Sequence, residues 1–447
     1  MDRVEPQIAE WKSYVSRRPA LDDRDVEELE THLRDQIAEL DAAGLSPDEA
    51  FLIAVKRMGE VDGLAREFAR EHSGRLWKQL VLAGNEGESR ESGGWFYALV
   101  FALGAAATLH IARLIARFPE QEAAWLLRNV GLFVLPFLAG YLAHRRRFDV
   151  RRWAIALAPF ALVAIIINLY PYDGGSATEL LVALHLPVML WFVIAFPYMG
   201  GAVRSHERRM DFVRFTGEWF IYYVLIALGG GVLLTLTGLI LEPLGGDVAE
   251  SVIEWVLPAG AAGAVVVAAW LVESKQHVVE NMSPVLTMLF TPLFAIMLTI
   301  AVISYVVSGV AGAFDRELLG VFDALLVVVL GLVLYALSAR DSTRPAGLMD
   351  HLQLVAVVAA LVLDVIVLVA MLGRIGELGF TPNRVAALGL NLVLLVNLAG
   401  SAWLSARFVA GRITFRRLER WQMSYLPVYA LWTAAVVALL PPLFAFA

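Results

Sequence analysis

The chain has 447 residues, of which 59% are apolar and only 18% are Asp, Glu, Lys or Arg. Soluble domains are typically about 45–50% apolar and about 25% charged. This composition, with a mean hydropathy of +0.66, excludes a soluble enzyme, a disordered chain and a nucleic-acid-binding domain. It predicts an all-α polytopic membrane helix bundle. Cysteine is absent, which removes disulfides, thiolate metal sites and cysteine nucleophiles.

The net charge of −7 is unevenly placed. Residues 1–94 hold 21 acidic and 13 basic residues, and the remaining 353 hold 22 and 23. An acidic head therefore precedes a near-neutral apolar body, a poor match for nucleic acid or an anionic lipid surface. The first long apolar run begins at Trp95, so no secretory signal peptide is expected.

In the head, residues 5–18 read as a short helix stopped by Pro19. Asp22 or Asp23 opens a second helix, with Val26, Leu29, Leu33, Ile37 and Leu40 on one stripe. Gly44 ends it. Ser46-Pro47-Asp48-Glu49 is a capping box with proline at the first helical position. Phe51, Ala54, Val55 and Met58 line the helix that follows, and another helix is expected from Asp62 through Phe68. Leu76–Leu82 carries a Trp and a Lys, as an interfacial helix or the last turn of the bundle would. The Gly, Glu and Ser-rich 83–94 reads as a flexible linker. The expected domains are a cytosolic head (1–82), the linker, and a membrane domain (95–447).

Three blocks of the head, Val26–Arg34, Gly44–Phe51 and Met58–Ala65, resemble the bacterial permease prefix domain, the helix-turn-helix-associated α-helical signalling domain. The resemblance covers roughly residues 5–72. It implies a regulatory, protein-binding head in front of a permease or another multi-helix membrane module. Leu29, His32, Leu33, Phe51 and Met58 are the candidate partner-binding residues. Farther along, residues from about 284 to 408, through Gly373–Arg384, look like an uncharacterised bacterial polytopic membrane family, which implies no activity.

The body contains eleven apolar runs of about 20 residues, the length a bilayer core requires: 95–117, 123–143, 151–171, 178–199, 217–241, 251–273, 284–313, 318–338, 351–373, 382–408 and 425–446. Alternate loops, at 144–152, 200–216, 274–283, 339–350 and 407–424, hold 17 basic residues between them. The opposite loops hold only Arg117, Arg316, Arg374 and Arg384. Positive charge stays inside. The expectation is therefore a bacterial cytoplasmic membrane protein with its N-terminus in the cytosol and its C-terminus outside.

No P-loop, G-x-S-x-G, H-E-x-x-H or G-x-G-x-x-G pattern occurs, so no direct ATP binding, cofactor or enzymatic activity is expected. Ionisable groups at membrane depth are costly and mark functional candidates. Asp364 lies mid-span in an unbroken apolar run and reads either as a proton or cation site or as a structural hydrogen-bonding group. Asn391 and Asn397 flank the middle of the next span and are placed to form a polar seam with it, or interhelical hydrogen bonds. His110, Arg113, Arg128 and His185 fall in the outer halves of their spans. The two arginines are candidates to snorkel or to pair with Asp364, and the two histidines to ligate a metal or sit buried and satisfied.

Two functions fit these features. The head favours a membrane sensor or regulator that passes an envelope signal to a protein partner or to a second copy of itself. The span count, the prolines within spans and Asp364 fit a permease or channel subunit moving an ion or small solute.

Overall fold

The computed structural model describes residues 4–15, 23–42, 45–61, 94–115, 122–241, 246–274, 282–308, 316–340, 342 and 344–447. The chain divides into two units, residues 1–94 and 95–447. The described residues are mostly helical, with no strand among them.

The head contains α1 (Glu5–Val15), α2 (Asp23–Ala42) and α3 (Pro47–Val61). α2 and α3 begin where the aspartate cap and the Ser46-Pro47 cap place them. The Glu49 carboxylate reaches back to accept from the Ser46 N–H (3.1 Å) and hydroxyl (2.7 Å), and these hydrogen bonds hold it below the usual carboxylate range. Val4, Ile8 and Trp11 of the first segment close over Leu33, Ile37, Leu40, Phe51, Ala54 and Val55. Polar contacts pin α1 to α2: Glu30 takes Lys12 (2.7 Å) and Arg34 (2.9 Å), and Arg34 also takes Glu5. The expected helix from Asp62, the segment Leu76–Leu82, the linker up to residue 93, and the side chains of Leu29 and Met58 lie outside the described residues.

The second unit is a polytopic membrane helix bundle. Its long helices are α4 (Gly94–Ile115), α5 (Glu122–Arg145), α6 (Val150–Leu169), α7 (Ala177–Tyr198), α8 (His206–Leu241), α9 (Gly246–Ser274), α10 (Met282–Ser308), α11 (Arg316–Ala339), α12 (Leu348–Leu378), α13 (Pro382–Val409) and α14 (Phe415–Ala438), followed by the single turn α15 (Leu440–Leu443). Ten of these, α4 through α13, are long and apolar enough to cross a bilayer. Large apolar side chains face outward on them, such as Leu103, Ile165, Leu184, Leu233, Ile300, Val328 and Val369. Water would penalise such a surface, and lipid does not.

Two packing layers form the interior. The first joins α4, α5, α7 and α9 with parts of α6 and α8, through residues such as Ala105, Leu138, Leu142, Val182, Leu190, Phe215 and Val266. The second joins α10 to α14 through Leu298, Leu326, Ala360, Leu363, Val367, Leu394 and Leu398. α14 packs against both α13 and α7 and so bridges them.

Two stretches differ from the hydropathy reading. The basic segment 200–216 is a loop only to Ser205; from His206 it belongs to α8, a helix of 36 residues. The eleventh apolar run, 425–446, is not one span. Its first half is the end of α14, which starts ten residues earlier than the run, and its second half is a proline turn. Hydropathy misplaced the start because Arg416, Arg417, Glu419 and Arg420 occupy the first turns of α14, which raises their polarity without ending the helix.

α14 nevertheless traverses the bundle. Near its start, Arg209 of α8 donates to the Met423 carbonyl (2.8 Å) and Ser424 bonds His206. At its end, the Tyr170 hydroxyl donates to the Ala438 carbonyl (2.8 Å), and the Thr178 N–H donates to the Ala447 carbonyl (3.0 Å). The chain end thus sits beside the start of α7, at the bundle face opposite His206.

Close helix contact between α13 and α14 comes from glycine. Gly389 lies under the Trp432 ring and Gly400 under Trp421, each so near that an added Cβ would fall within 3.0 Å of the indole. Both pairs are eleven residues apart, three helical turns, so two antiparallel helices key together at two points.

Candidate functional site

Several charged groups of the membrane unit are paired. Arg128 of α5 and Glu179 of α7 form a buried ion pair (2.5 Å). Glu179 also accepts from the Gly175 N–H (2.9 Å), and the Arg128 guanidinium stacks 4.5 Å from the Tyr172 ring. Arg113 pairs with Glu254 across α4 and α9 (2.6 Å). At the opposite face, Glu273 takes both Arg145 (2.6 Å) and Arg146 (2.8 Å). There too Arg340 holds Asp350 (2.7 Å) while lying over Phe408 and Phe415.

Neither Arg113 nor Arg128 is therefore the partner of Asp364. His185 hydrogen-bonds the Leu181 carbonyl (2.9 Å) of its own helix, and His110 stacks on Trp255 (4.8 Å). No cluster of three metal-ligating side chains of the His, Cys, Asp or Glu type exists among the described residues. The expected seam also divides. Asn397 donates to Gln422 (3.0 Å), Gln422 to Ser401, and Ser401 back to the Asn397 carbonyl (2.6 Å). This network is closed on itself and ties α13 to α14. Gln422 is a member that hydropathy could not single out, because it lies in the polar start of α14.

Asp364 is different. It sits on α12, about 24 Å from one helix end and about 21 Å from the other at 1.5 Å per residue. Its exposure is 0%, and neither carboxylate oxygen has a hydrogen-bond partner. Asp323, on α11, lies near enough for the two carboxylates to interact electrostatically. Asn391 of α13 donates to Asp323 (2.8 Å) and to its own helix at Ala387 (2.9 Å), which leaves its buried carbonyl oxygen unpartnered. The Tyr429 hydroxyl of α14, in the electrostatic range of Asp364, is also buried without a partner.

Four helices thus bring two carboxylates, an amide oxygen and a phenol together, with surplus acceptors and no described basic side chain facing them. Asp323 is partly buried and Asp364 fully buried. An unpaired buried carboxylate costs several kcal/mol, so the folded chain must offset it with a proton or a cation. Sequence reasoning found Asp364 and Asn391 from their depth in apolar runs. Asp323 and Tyr429 join the group only through the packing of α11 and α14, which the sequence pattern does not carry.

The Gly373–Arg384 stretch, which carried the second resemblance, builds a turn. Gly379 takes φ +75° to end α12, Thr381 caps α13, and Arg384 donates to the Leu378 and Gly379 carbonyls (2.9 and 2.8 Å). Its residues hold two helix ends together and do not reach the acidic pair.

In the head, Leu33 and Phe51 are buried in the core. They hold the fold together and are not available to a partner. His32 is exposed on α2.

The fold is that of an all-α polytopic membrane protein whose one unpaired buried acidic site lies in its second packing layer, among the described residues. No family model matches the chain, and no curated protein or solved structure is similar to it.

Proposed function

We propose that the protein is a permease or channel subunit of the bacterial cytoplasmic membrane, moving an ion or small solute with Asp364 as its proton or cation site. The observation that carries this reading is that, among the described residues, a fully buried carboxylate has no hydrogen-bonding or basic partner, although the other buried charges of the bundle, such as Arg128, Glu179 and Glu273, have one. A merely structural Asp would be paired. The arginine-rich loops favour an orientation with the N-terminus in the cytosol, and the absence of nucleotide-binding patterns favours movement without direct ATP binding.

A regulatory reading rests on a separate observation: the head is its own compact unit, and residues 1–94 hold 21 acidic against 13 basic residues. In this reading it acts as a permease prefix domain, docking a protein partner or a second copy through exposed α2 residues such as His32. The two readings are compatible, since a head of that kind would gate the body.

Flux through liposomes reconstituted with the full chain tests the first reading. Uptake of protons, alkali ions or small solutes above empty liposomes, lost in Asp364→Asn, is expected. No flux of any of them overturns it. A pull-down with the full chain, with and without residues 1–82, tests the second.

A further inference from the structure

We infer that Asp323, Asp364, Asn391 and Tyr429 form a coordination site for a small hard metal cation. The inference rests on the proposed reading of Asp364 and names the ligand class. Its basis is a donor deficit. Both Asp364 oxygens and the Asn391 carbonyl oxygen are buried acceptors with no donor, and the one hydrogen bond within the group, Asn391 to Asp323, is used to orient the amide.

A single proton satisfies one of these acceptors and leaves the rest bare. A metal ion satisfies several at once, because it is an acceptor-seeking centre with no directional demand for one oxygen. The ligand atoms are all oxygens. Hard cations of the Na⁺, Li⁺, Mg²⁺ or Ca²⁺ type prefer carboxylate, carbonyl and hydroxyl oxygen, whereas Zn²⁺ and Cu²⁺ favour the imidazole and thiolate that this site lacks.

The second observation, beyond the two acids, is the pair of neutral side chains. Asn391 is 0% and Tyr429 8% exposed, and both carry unpartnered buried oxygens, Asn391 while hydrogen-bonded to Asp323 (2.8 Å) and Tyr429 within electrostatic range of Asp364. Each ligand comes from a different helix, α11, α12, α13 or α14, so an ion held there fastens the second layer together. The glycine–tryptophan contacts of Gly389 with Trp432 and Gly400 with Trp421 lie to either side of Asn391 and Tyr429 in sequence and set the α13–α14 spacing on which the site depends.

The test uses the purified full chain in detergent, with choline chloride as the background salt at constant ionic strength and constant pH. Na⁺, Li⁺, K⁺, Mg²⁺ and Ca²⁺ chlorides are titrated in turn, with the thermal midpoint and calorimetric heat as readouts. At least one small cation should raise the midpoint saturably over choline. The response should vanish in Asp364→Asn and Asp323→Asn, weaken at least tenfold in Asn391→Leu and in Tyr429→Phe, and persist in Glu207→Gln, an exposed acid on α8. Helix content by circular dichroism shows which variants fold, and Asp323, only partly buried, provides a second variant if Asp364→Asn does not fold. No response to any cation overturns the inference, as does an undiminished response in both aspartate variants. Asp364-dependent proton flux without a cation response would sink the inference and leave the permease reading intact. Cation binding without any flux would do the reverse.

Discussion

Replacing Arg128 by Met removes one half of a deeply buried ion pair. The Glu179 carboxylate would keep only the Gly175 N–H (2.9 Å), with Glu179 at 4% exposure. Breaking a buried pair by deleting one partner costs about 3–5 kcal/mol, because the remaining charge has lost both water and partner. At about 1.4 kcal/mol per tenfold, the folded-to-unfolded ratio should fall by about a hundred- to several-thousand-fold. Loss of the Arg128 contact over Tyr172 (4.5 Å) adds a part of that. The double variant Arg128→Met with Glu179→Leu removes both charges and leaves shapes of similar volume, so stability should return to within about 1.5 kcal/mol of the parent. Reversible unfolding in mixed micelles with increasing dodecyl sulfate, followed by tryptophan fluorescence, completes the double-mutant cycle. A single variant within about 1 kcal/mol of the parent, or a double variant no better than the single, would refute the premise that the pair is desolvated and specific.

With choline as the only cation, Asp364→Leu is expected to raise stability by about 1–3 kcal/mol while abolishing flux, since it removes an unpaired buried carboxylate; a destabilised Leu variant under these conditions would show that the carboxylate has a structural partner. Gly389→Ala should cost about 1–3 kcal/mol through overpacking against Trp432, and Trp432→Ala added to it should recover part of the loss in the same unfolding assay. Lys12, first, and Arg34 hold the Glu30 carboxyl below the usual carboxylate range near 4.5. The stability it contributes to the head is therefore full above that range and is lost as pH falls through the lowered value. Hydrogen exchange of residues 23–42 in the full chain should quicken below about pH 4, and Glu30→Gln should flatten that dependence.

Composition alone was enough for the fold class and for most helix ends. A run of apolar residues as long as a bilayer is thick leaves the backbone only one way to satisfy its hydrogen bonds. The start of α3 at Ser46-Pro47 was legible for a local reason: a cap acts within a few residues. The depth of Asp364 and Asn391 was legible too, since a polar residue in an apolar run stands out wherever the run folds.

What only the tertiary structure decided is which polar groups meet. Arg128 finds Glu179 51 residues on, Arg113 finds Glu254 141 residues on, and Asn391 finds Asp323 68 residues back. Each meeting depends on helix rotation and neighbour choice, which a one-dimensional pattern does not carry. Asn391 and Asn397 illustrate the point: six residues apart on α13, they subtend about 600° of helical rotation and project some 120° apart. One therefore reaches α11 and the acidic pair, while the other closes a neutral network with α14.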